Sequence, residues 1–386
     1  MKKGLIMEGG AMRGMFTCGV IDVFMENGIT FDGAVGISAG AVFGCNYKSK
    51  QIGRPLRYNK TYCRDKRYCS FSSLLKTGDL YNADFCYREL LENLDPFDAG
   101  TFEKDPMAFY VGATDVKTGK CVFHKCTDGK QTDTQWLRAS ASMPLVSRVV
   151  KIGTYELLDG GIADSIPLKF MEEEGYDRNV VILTQPLGYR KSRSKALPFL
   201  RIAMKEYPLM IDAMEKRHVM YNHEVGDIER KEAKGQVFVI RPSAPLKIGK
   251  IEKDPKQLQR VYDLGREEAL KNLEKMKDFL SRPELETDKE DEVMAQRVRR
   301  HFHFYGTVQG VGFRFQAMMA AESLGLTGWV RNEHDGSVTM EVQGTEEEIA
   351  SAVELIANSR FIRIEKTETK LVPLEEHESC FTADYW

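Results

Sequence analysis

Residues 1–40 read MKKGLIMEGG AMRGMFTCGV IDVFMENGIT FDGAVGISAG, and the order of the first domain is contained in them. The apolar run Gly4–Met7 has the length of a buried strand. The glycine-rich Gly9-Gly10-Ala11-Met12-Arg13-Gly14 follows it directly. Phe16, Val20, Val23 and Phe24 then recur at helical spacing, and Gly28 stands where a helix commonly ends. A second apolar run, Phe31–Val35, leads into Gly36-Ile37-Ser38-Ala39-Gly40, which opens another helix. Strands alternating with helices in this way imply an α/β domain with a mainly parallel sheet.

The same alternation continues to about residue 280. Met107–Ala113 and Cys121–Phe123 read as strands around a Lys117–Lys120 turn, and Val149–Leu158 as a hairpin broken at Gly153. Val180–Leu183 and Val237–Ile240 read as buried strands, with Leu197–Glu229 a long helical stretch between them. Residues 281–297 change character: six acids fall among the first twelve residues, with one proline, which reads as a solvated linker. The remaining residues, from 298 to 386, follow the pattern β-α-β-β-α-β, a ferredoxin-like α+β arrangement. Its strands are predicted at Arg299–Tyr305, Leu326–Asn332, Ser337–Gln343 and Phe361–Val372, and its helices at Phe313–Ser323 and Glu346–Asn358.

Composition narrows the classes. The 386 residues carry 55 Lys plus Arg and 57 Asp plus Glu, a net charge of −2. Such a chain lacks the basic excess that nucleic-acid binding needs. No stretch approaches 18 uninterrupted apolar residues, so a transmembrane segment is not expected. Leu5, Ile6 and Met7 are too few for a signal-peptide core, so a cytoplasmic protein is expected. The eight cysteines form no C-x-x-C pair and match no zinc spacing, which argues for reduced thiols and no metal. No cofactor motif stands out.

In G-x-S-x-G, the glycines Gly36 and Gly40 allow a sharp turn that projects Ser38 into a cleft. The helix starting there points unsatisfied N–H groups at that position. The loop Gly9–Gly14 can bring more backbone donors close, because glycine permits close approach. Such donors stabilise the oxyanion of an acyl-transfer transition state. A serine hydroxyl still needs a base. Asp159 of Asp159-Gly160-Gly161 can serve if it reaches Ser38.

These three motifs, in this order and at element boundaries, resemble the patatin-like phospholipase family over residues 1–280. The resemblance implies a doubly wound sheet and hydrolysis of lipid acyl esters, of the phospholipase or lysophospholipase type. It implies Ser38 as nucleophile and Asp159 as its direct activator. It places the oxyanion hole at Gly9, Gly10, Ala11, Met12, Arg13 and Gly14. The run Ala139–Pro144 is similar to the family's helix end before the aspartate hairpin. The rival reading is a triad using His124, His218 or His223. His218 and His223 are five residues apart, which does not align them on one helix face. Between Arg54 and Arg67, six bases and one acid are interleaved with Tyr58 and Tyr62. That stretch reads either as solvated surface or as a basic rim for anionic head groups at a membrane surface.

The C-terminal domain contains Val308-Gln309-Gly310-Val311-Gly312-Phe313-Arg314 between its first strand and first helix. Glycines there allow a nest of N–H groups at a helix start, which binds phosphate. Arg314 can add a two-pronged contact to the same anion. Asn332 ends the strand of Gly328-Trp329-Val330-Arg331-Asn332, where a neutral amide can orient a water. This run resembles the signature of acylphosphatase. The resemblance implies hydrolysis of carboxyl–phosphate anhydrides, with the phosphate cradle at Gln309–Arg314 and the water held by Asn332. A second reading is a non-catalytic acyl-phosphate sensor that regulates the first domain. His301 and His303 alternate along the first strand and read as ordinary sheet residues.

Overall fold

The computed structural model describes residues 1–282, 297–357, 359, 361–375, 378 and 380–383, without the side chains of 322 and 323. The chain forms two compact units that divide near residue 284. Most of the predicted acidic linker, residues 283–296, lies outside the described residues.

The first unit is built on one sheet. Its strands are β1 (Lys3–Met7), β2 (Gly33–Ile37), β3 (Ala108–Asp115), β4 (Cys121–Cys126), β5 (Val150–Ile152), β6 (Tyr155–Asp159), β7 (Arg178–Ile182) and β8 (Val237–Ile240). Their order is β5-β6-β3-β2-β1-β7-β8, with β4 also paired to β3. Pairing is parallel from β3 through β2, β1 and β7 to β8. It is antiparallel where β4 and β6 meet β3, and where β5 meets β6. The helices are α1 (Gly14–Glu26), α2 (Ala39–Lys48), α3 (Arg54–Tyr62), α4 (Phe71–Thr77), α5 (Ala99–Lys104), α6 (Gln131–Ser140), α7 (Leu168–Glu173), α8 (Leu197–Ala203), α9 (Pro208–Ala233) and α10 (Pro255–Ser281). A π-helix, Phe85–Leu94, lies between α4 and α5.

Both faces of the sheet are covered. Leu5 and Met7 of β1 join a core with α1, α2 and α10, while Ile6 joins a second core with α7 and α9. Alternate side chains of a strand point to opposite faces, so continuous apolar strands are what a doubly wound sheet requires. The helical stretch predicted over Leu197–Glu229 is two helices. Pro208 cannot continue a preceding helix but fits the first turn of a new one, and α9 starts there.

The long helix α10, which the sequence pattern did not single out, lies directly on α1. A Cβ at Gly19 would sit 2.1 Å from the Tyr262 carbonyl oxygen, and one at Gly265 would sit 2.0 Å from that of Phe16. The two glycines let the helix backbones touch. Tyr262 donates to Asp22 (2.6 Å), and Arg266 forms a two-pronged bond with Glu26 (2.7 and 2.8 Å). Gly265→Ala should therefore cost about 1–3 kcal/mol through overpacking. Urea denaturation should show a lower midpoint with little change in slope.

Much of the basic stretch is engaged in contacts, although Arg57, Arg64, Lys66 and Arg67 stay exposed. Arg54 is buried and binds Asn46 Oδ1 and the Asp95 carbonyl. Arg57 pairs with Asp95, and Arg67 with Asp65 and Glu89. Lys60 donates to Gln259, and Arg64 to the Lys253 carbonyl. Tyr58 and Tyr68 are core residues. Arg54, Arg57 and Lys60 tie α3 to its surroundings.

The second unit contains β9 (Val298–Thr307), α11 (Phe313–Leu324), β10 (Thr327–Asn332), β11 (Val338–Gly344), α12 (Glu346–Ala357), β12 (Arg363–Val372) and β13 (Phe381–Ala383). Strand order is β12-β9-β11-β10-β13. The predicted βαββαβ order is present, with β13 added in parallel to β10. Three residues are too short to announce a strand by periodicity. Phe302 and Phe304 face the helices, and His301 and His303 alternate with them along the strand. His301 meets Glu341 (3.1 Å) and His303 meets Ser337 (2.6 Å), as sheet residues with cross-strand partners.

Candidate active sites

Ser38 is the single residue between β2 and α2. Its φ is +55° and its ψ −122°, a backbone conformation that costs a non-glycine residue of order 1–3 kcal/mol. The flanking glycines are required by space. A Cβ at Gly36 would lie 2.5 Å from Ala41 Cα, and one at Gly40 would lie 2.2 Å from the Met7 carbonyl oxygen. Ser140, at the end of α6, holds the turn from outside. The Ser38 N–H donates to Ser140 Oγ (2.8 Å), and the Ser140 hydroxyl donates to the Gly112 carbonyl (2.6 Å). The sequence marked this stretch only as a helix end.

Strand β3 carries Asp159 to this turn. Ile37 of β2 is opposite Gly112, and the next residue of β3, Ala113, is opposite Asp159 of β6. Asp159 is buried, and its Oδ1 accepts the Gly161 N–H (2.9 Å). Burial pushes its pKa above the ordinary 3.8. The Arg217 charge, the Ser38 hydroxyl and the Gly161 amide pull the other way. The hydroxyl is thus near enough to favour the ionised carboxylate, although buried Oδ2 accepts no bond of full hydrogen-bond geometry. Catalytic contacts in an unliganded site are often longer than in the reacting complex.

This shift has two consequences of opposite sign. A base loses turnover as pH falls through its pKa, so the acid limb of kcat/KM for an ester should lie above the range of an exposed aspartate. A carboxyl that is easier to protonate when folded contributes stability below its unfolded pKa, and loses it as pH rises through the folded one. Asp159→Asn should therefore melt no lower than wild type at neutral pH while losing ester turnover. A pH–rate profile paired with thermal melts checks both.

The Gly9–Gly14 loop runs against the serine. A Cβ at Gly9 would come within 2.9 Å of Ser38 Cβ, and one at Gly10 within 2.7 Å of Thr184 Oγ1. Ala11–Arg13 form a tight turn with Ala11 at φ +50°. The Arg13 N–H returns to the Gly10 carbonyl (3.1 Å), and the Gly14 N–H to carbonyls of Ala11 and Met12. Those amides, and that of Ser38, are already engaged. The candidate oxyanion donors narrow to Gly9 through Met12. Behind the loop, buried Glu8 accepts from Tyr221 (2.8 Å) and Thr184 Oγ1 (3.1 Å).

A cavity of about 420 Å³ opens beside Ser38, with Ala11 and Met12 in its wall. Tyr58, Leu80, Leu90, Leu200 and Met214 make much of the rest apolar. An acyl chain would be desolvated there.

His124 and His218 each have partners of their own. His124 bonds Asp133 (2.8 Å) and stacks on Trp136. With Cys126, these two residues bring three ligand-type atoms within 4.8 Å of one another. The Asp133 carboxylate, however, already accepts the amides of Thr127, Asp128 and Gly129 as well as His124. It closes a turn. His218 Nδ1 meets the Glu215 carbonyl of its own helix.

In the second unit, the predicted cradle joins β9 to α11. Gly310 (φ +72°) and Gly312 (φ +83°) adopt backbone conformations that only glycine takes without strain. Val308 and Phe313 are buried anchors on either side. Gln309 Nε2 donates to the carbonyls of Glu333 (2.7 Å) and Ser337 (2.6 Å). This ties the loop to the turn just after Asn332, the last residue of β10. Gln309 is therefore an anchor of the cradle. Arg314 sits in the first turn of α11, half-buried, and Val311 packs on the core.

Residues 5–171 match the family described as patatin-like phospholipase, and residues 300–383 match acylphosphatase. Residues 207–281 match a domain of unknown function, DUF6363. The protein YjjU of Escherichia coli (strain K12), called uncharacterized, is 28% identical over 282 residues, covering 68% of this chain and 74% of its own. The acylphosphatase of Clostridium beijerinckii is 37% identical over 81 residues, covering 21% of this chain and 90% of its own. Two shorter acylphosphatase matches span 65% and 64% of those proteins. The crystal structure of an acylphosphatase from Bacillus subtilis is 32% identical with a TM-score of 0.22, covering 23% of this chain and 99% of that one.

Proposed function

The chain belongs to the acylphosphatase family through residues 300–383 and carries a patatin-like phospholipase domain at residues 5–171, and from this premise we propose a hydrolase with two separate catalytic sites. At the first, Ser38 Oγ attacks the carbonyl carbon of a lipid acyl ester and Asp159 takes the hydroxyl proton. Amides of the Gly9–Met12 segment and the α2 N-terminus stabilise the oxyanion. Collapse expels the alcohol, which recovers the proton, and water then releases the acid from the acyl-serine. The observation that supports this most is the strained Ser38 beside the buried Asp159 carboxylate at the wall of an apolar cavity.

At the second site, the Gln309–Arg314 loop and the Arg314 guanidinium hold the phosphate of an acyl phosphate, and Asn332 orients the attacking water. The work is positioning and charge stabilisation, with no covalent intermediate. Neither site calls for a metal or cofactor.

No described helix is long and apolar enough to cross a membrane. A lipid substrate is instead met at an interface. Helices α4 and α8 expose Phe71, Leu75, Phe199 and Ile202, while Leu80 just past α4 and Leu200 of α8 line the cavity. Such faces suit peripheral contact with a membrane surface. A cytoplasmic location would keep the eight unpaired cysteines reduced.

The full chain should hydrolyse both a medium-chain acyl ester and benzoyl phosphate. Failure on either substrate removes the corresponding half of the proposal.

A further inference from the structure

Glu8 stands between β1 and the Gly9–Gly14 loop and is 2% exposed. Both of its carboxylate oxygens are used. Oε2 accepts the Thr184 N–H (2.5 Å) and the Thr184 hydroxyl (3.1 Å), and Oε1 accepts the Tyr221 hydroxyl (2.8 Å). Thr184, just past β7, also meets the far end of the loop, where Arg13 Nε donates to its Oγ1 (3.4 Å). The middle of the loop rests on the same side chain, since a Cβ at Gly10 would lie 2.7 Å from Thr184 Oγ1. Tyr221 is buried on α9, and Lys191 Nζ lies over its ring, 3.7 Å from the centroid. Burial and then the Glu8 charge push the Tyr221 pKa up, so the phenol remains a donor. Thr184, Lys191 and Tyr221 all lie beyond the patatin-like match, and Tyr221 lies within the segment of unknown function.

We propose that Glu8, Thr184 and Tyr221 are positioning residues that set the geometry of the Gly9–Met12 amides for the ester reaction at Ser38. Amides stabilise an oxyanion only when aimed at it, and a displacement of about 1 Å costs up to about a hundredfold in rate. Gly9 and Gly10 leave the loop conformationally free, so its aim has to come from outside it. A buried carboxylate is costly unless its oxygens are bonded, so Glu8 is fixed by whatever donates to it. Its donors come from two elements remote in sequence, and Glu8 is joined to the loop by one peptide bond. Thr184 then holds the loop at its start through Glu8, at its middle through Gly10 and at its end through Arg13. The segment of unknown function thereby enters the ester chemistry through the Tyr221 hydroxyl.

The assignment rests on Ser38 being the nucleophile and those amides its oxyanion donors, and full-length Tyr221→Phe tests it. The change removes one oxygen and keeps the ring under Lys191. Active sites are counted as Ser38 labelled by an alkyl fluorophosphonate, whose phosphoryl oxygen uses the same amides. Per labelled site, ester kcat should fall about ten- to a hundredfold with KM within about twofold, and the labelling rate should fall in parallel. A loss of folding alone lowers the number of sites and leaves the rate per site unchanged. Thr184→Val should act in the same direction, while Thr184→Ser, which keeps the hydroxyl, retains most of the rate. An unchanged kcat per site in Tyr221→Phe overturns the proposal, as does a rise in KM at constant kcat. Should Tyr221→Phe yield no labelled sites, Thr184→Val is compared with Thr184→Ser, and equal rates per site overturn it. Wild type labelled at Ser38 but inert toward esters sinks the functional reading instead, and the labelling rates of the variants still decide the positioning role. Wild type that is not labelled overturns both.

Discussion

Alanine at Ser38 is expected to lower acyl-ester turnover by roughly 10⁴- to 10⁶-fold, the range seen when a serine nucleophile is removed and oxyanion donors remain. Benzoyl phosphate hydrolysis should be unchanged, because its groups lie in the other compact unit. The change deletes one oxygen and keeps the rest of the turn. The Ser38 N–H still donates to Ser140, the α2 backbone is unaltered, and Gly36 and Gly40 still satisfy the close contacts around them. A melting temperature close to wild type would show that lost turnover is lost chemistry. His124→Ala is the informative control. Its imidazole serves Asp133 and Trp136, so it should cost stability through the turn and leave the ester rate per folded molecule near wild type. A folded but inactive His124 variant would favour a triad.

Arg314→Ala is expected to lower acyl-phosphate turnover by about 10²- to 10³-fold, the cost of removing one electrostatic contact to the charge of the transition state. KM should rise as well, since the same guanidinium binds the substrate anion. Asn332→Ala should differ in kind: it orients water, so kcat should fall with a smaller change in KM. Both variants should keep ester turnover. Phosphate binding without any acyl-phosphate turnover in wild type would point instead to a sensor domain.

What the sequence made legible was local. Gly36, Gly40, Gly310 and Gly312 are dictated by backbone conformation or space within a few residues of themselves, so their spacing exposes the turns they serve. Ser38 and Arg314 follow from those turns, because each sits where the glycines place the chain at a helix start. The alternating apolar runs announced the sheet for the same reason. What escaped depends on partners far along the chain. Ser140 holds the Ser38 amide only because α6 packs across β3, and a serine near a helix end has no pattern that says so. Arg217 reaches Gly161 from α9 across 56 residues. Gly19 and Gly265 match only when α1 and α10 lie together. The charges of Arg54–Arg67 suggested a surface, yet Arg54 is buried because Asn46 and the Asp95 carbonyl satisfy its donors. Charge in a sequence gives the donors, and tertiary structure supplies the acceptors.

Treating the intact protein with an alkyl fluorophosphonate and mapping the adduct by mass spectrometry tests the ester site most directly. A single adduct on the peptide bearing Ser38 is predicted. It should be lost in Ser38→Ala and form far more slowly in Asp159→Asn. Measurable ester turnover with residue 38 unmodified by the probe, or an adduct on another side chain that abolishes that turnover, would contradict the assignment.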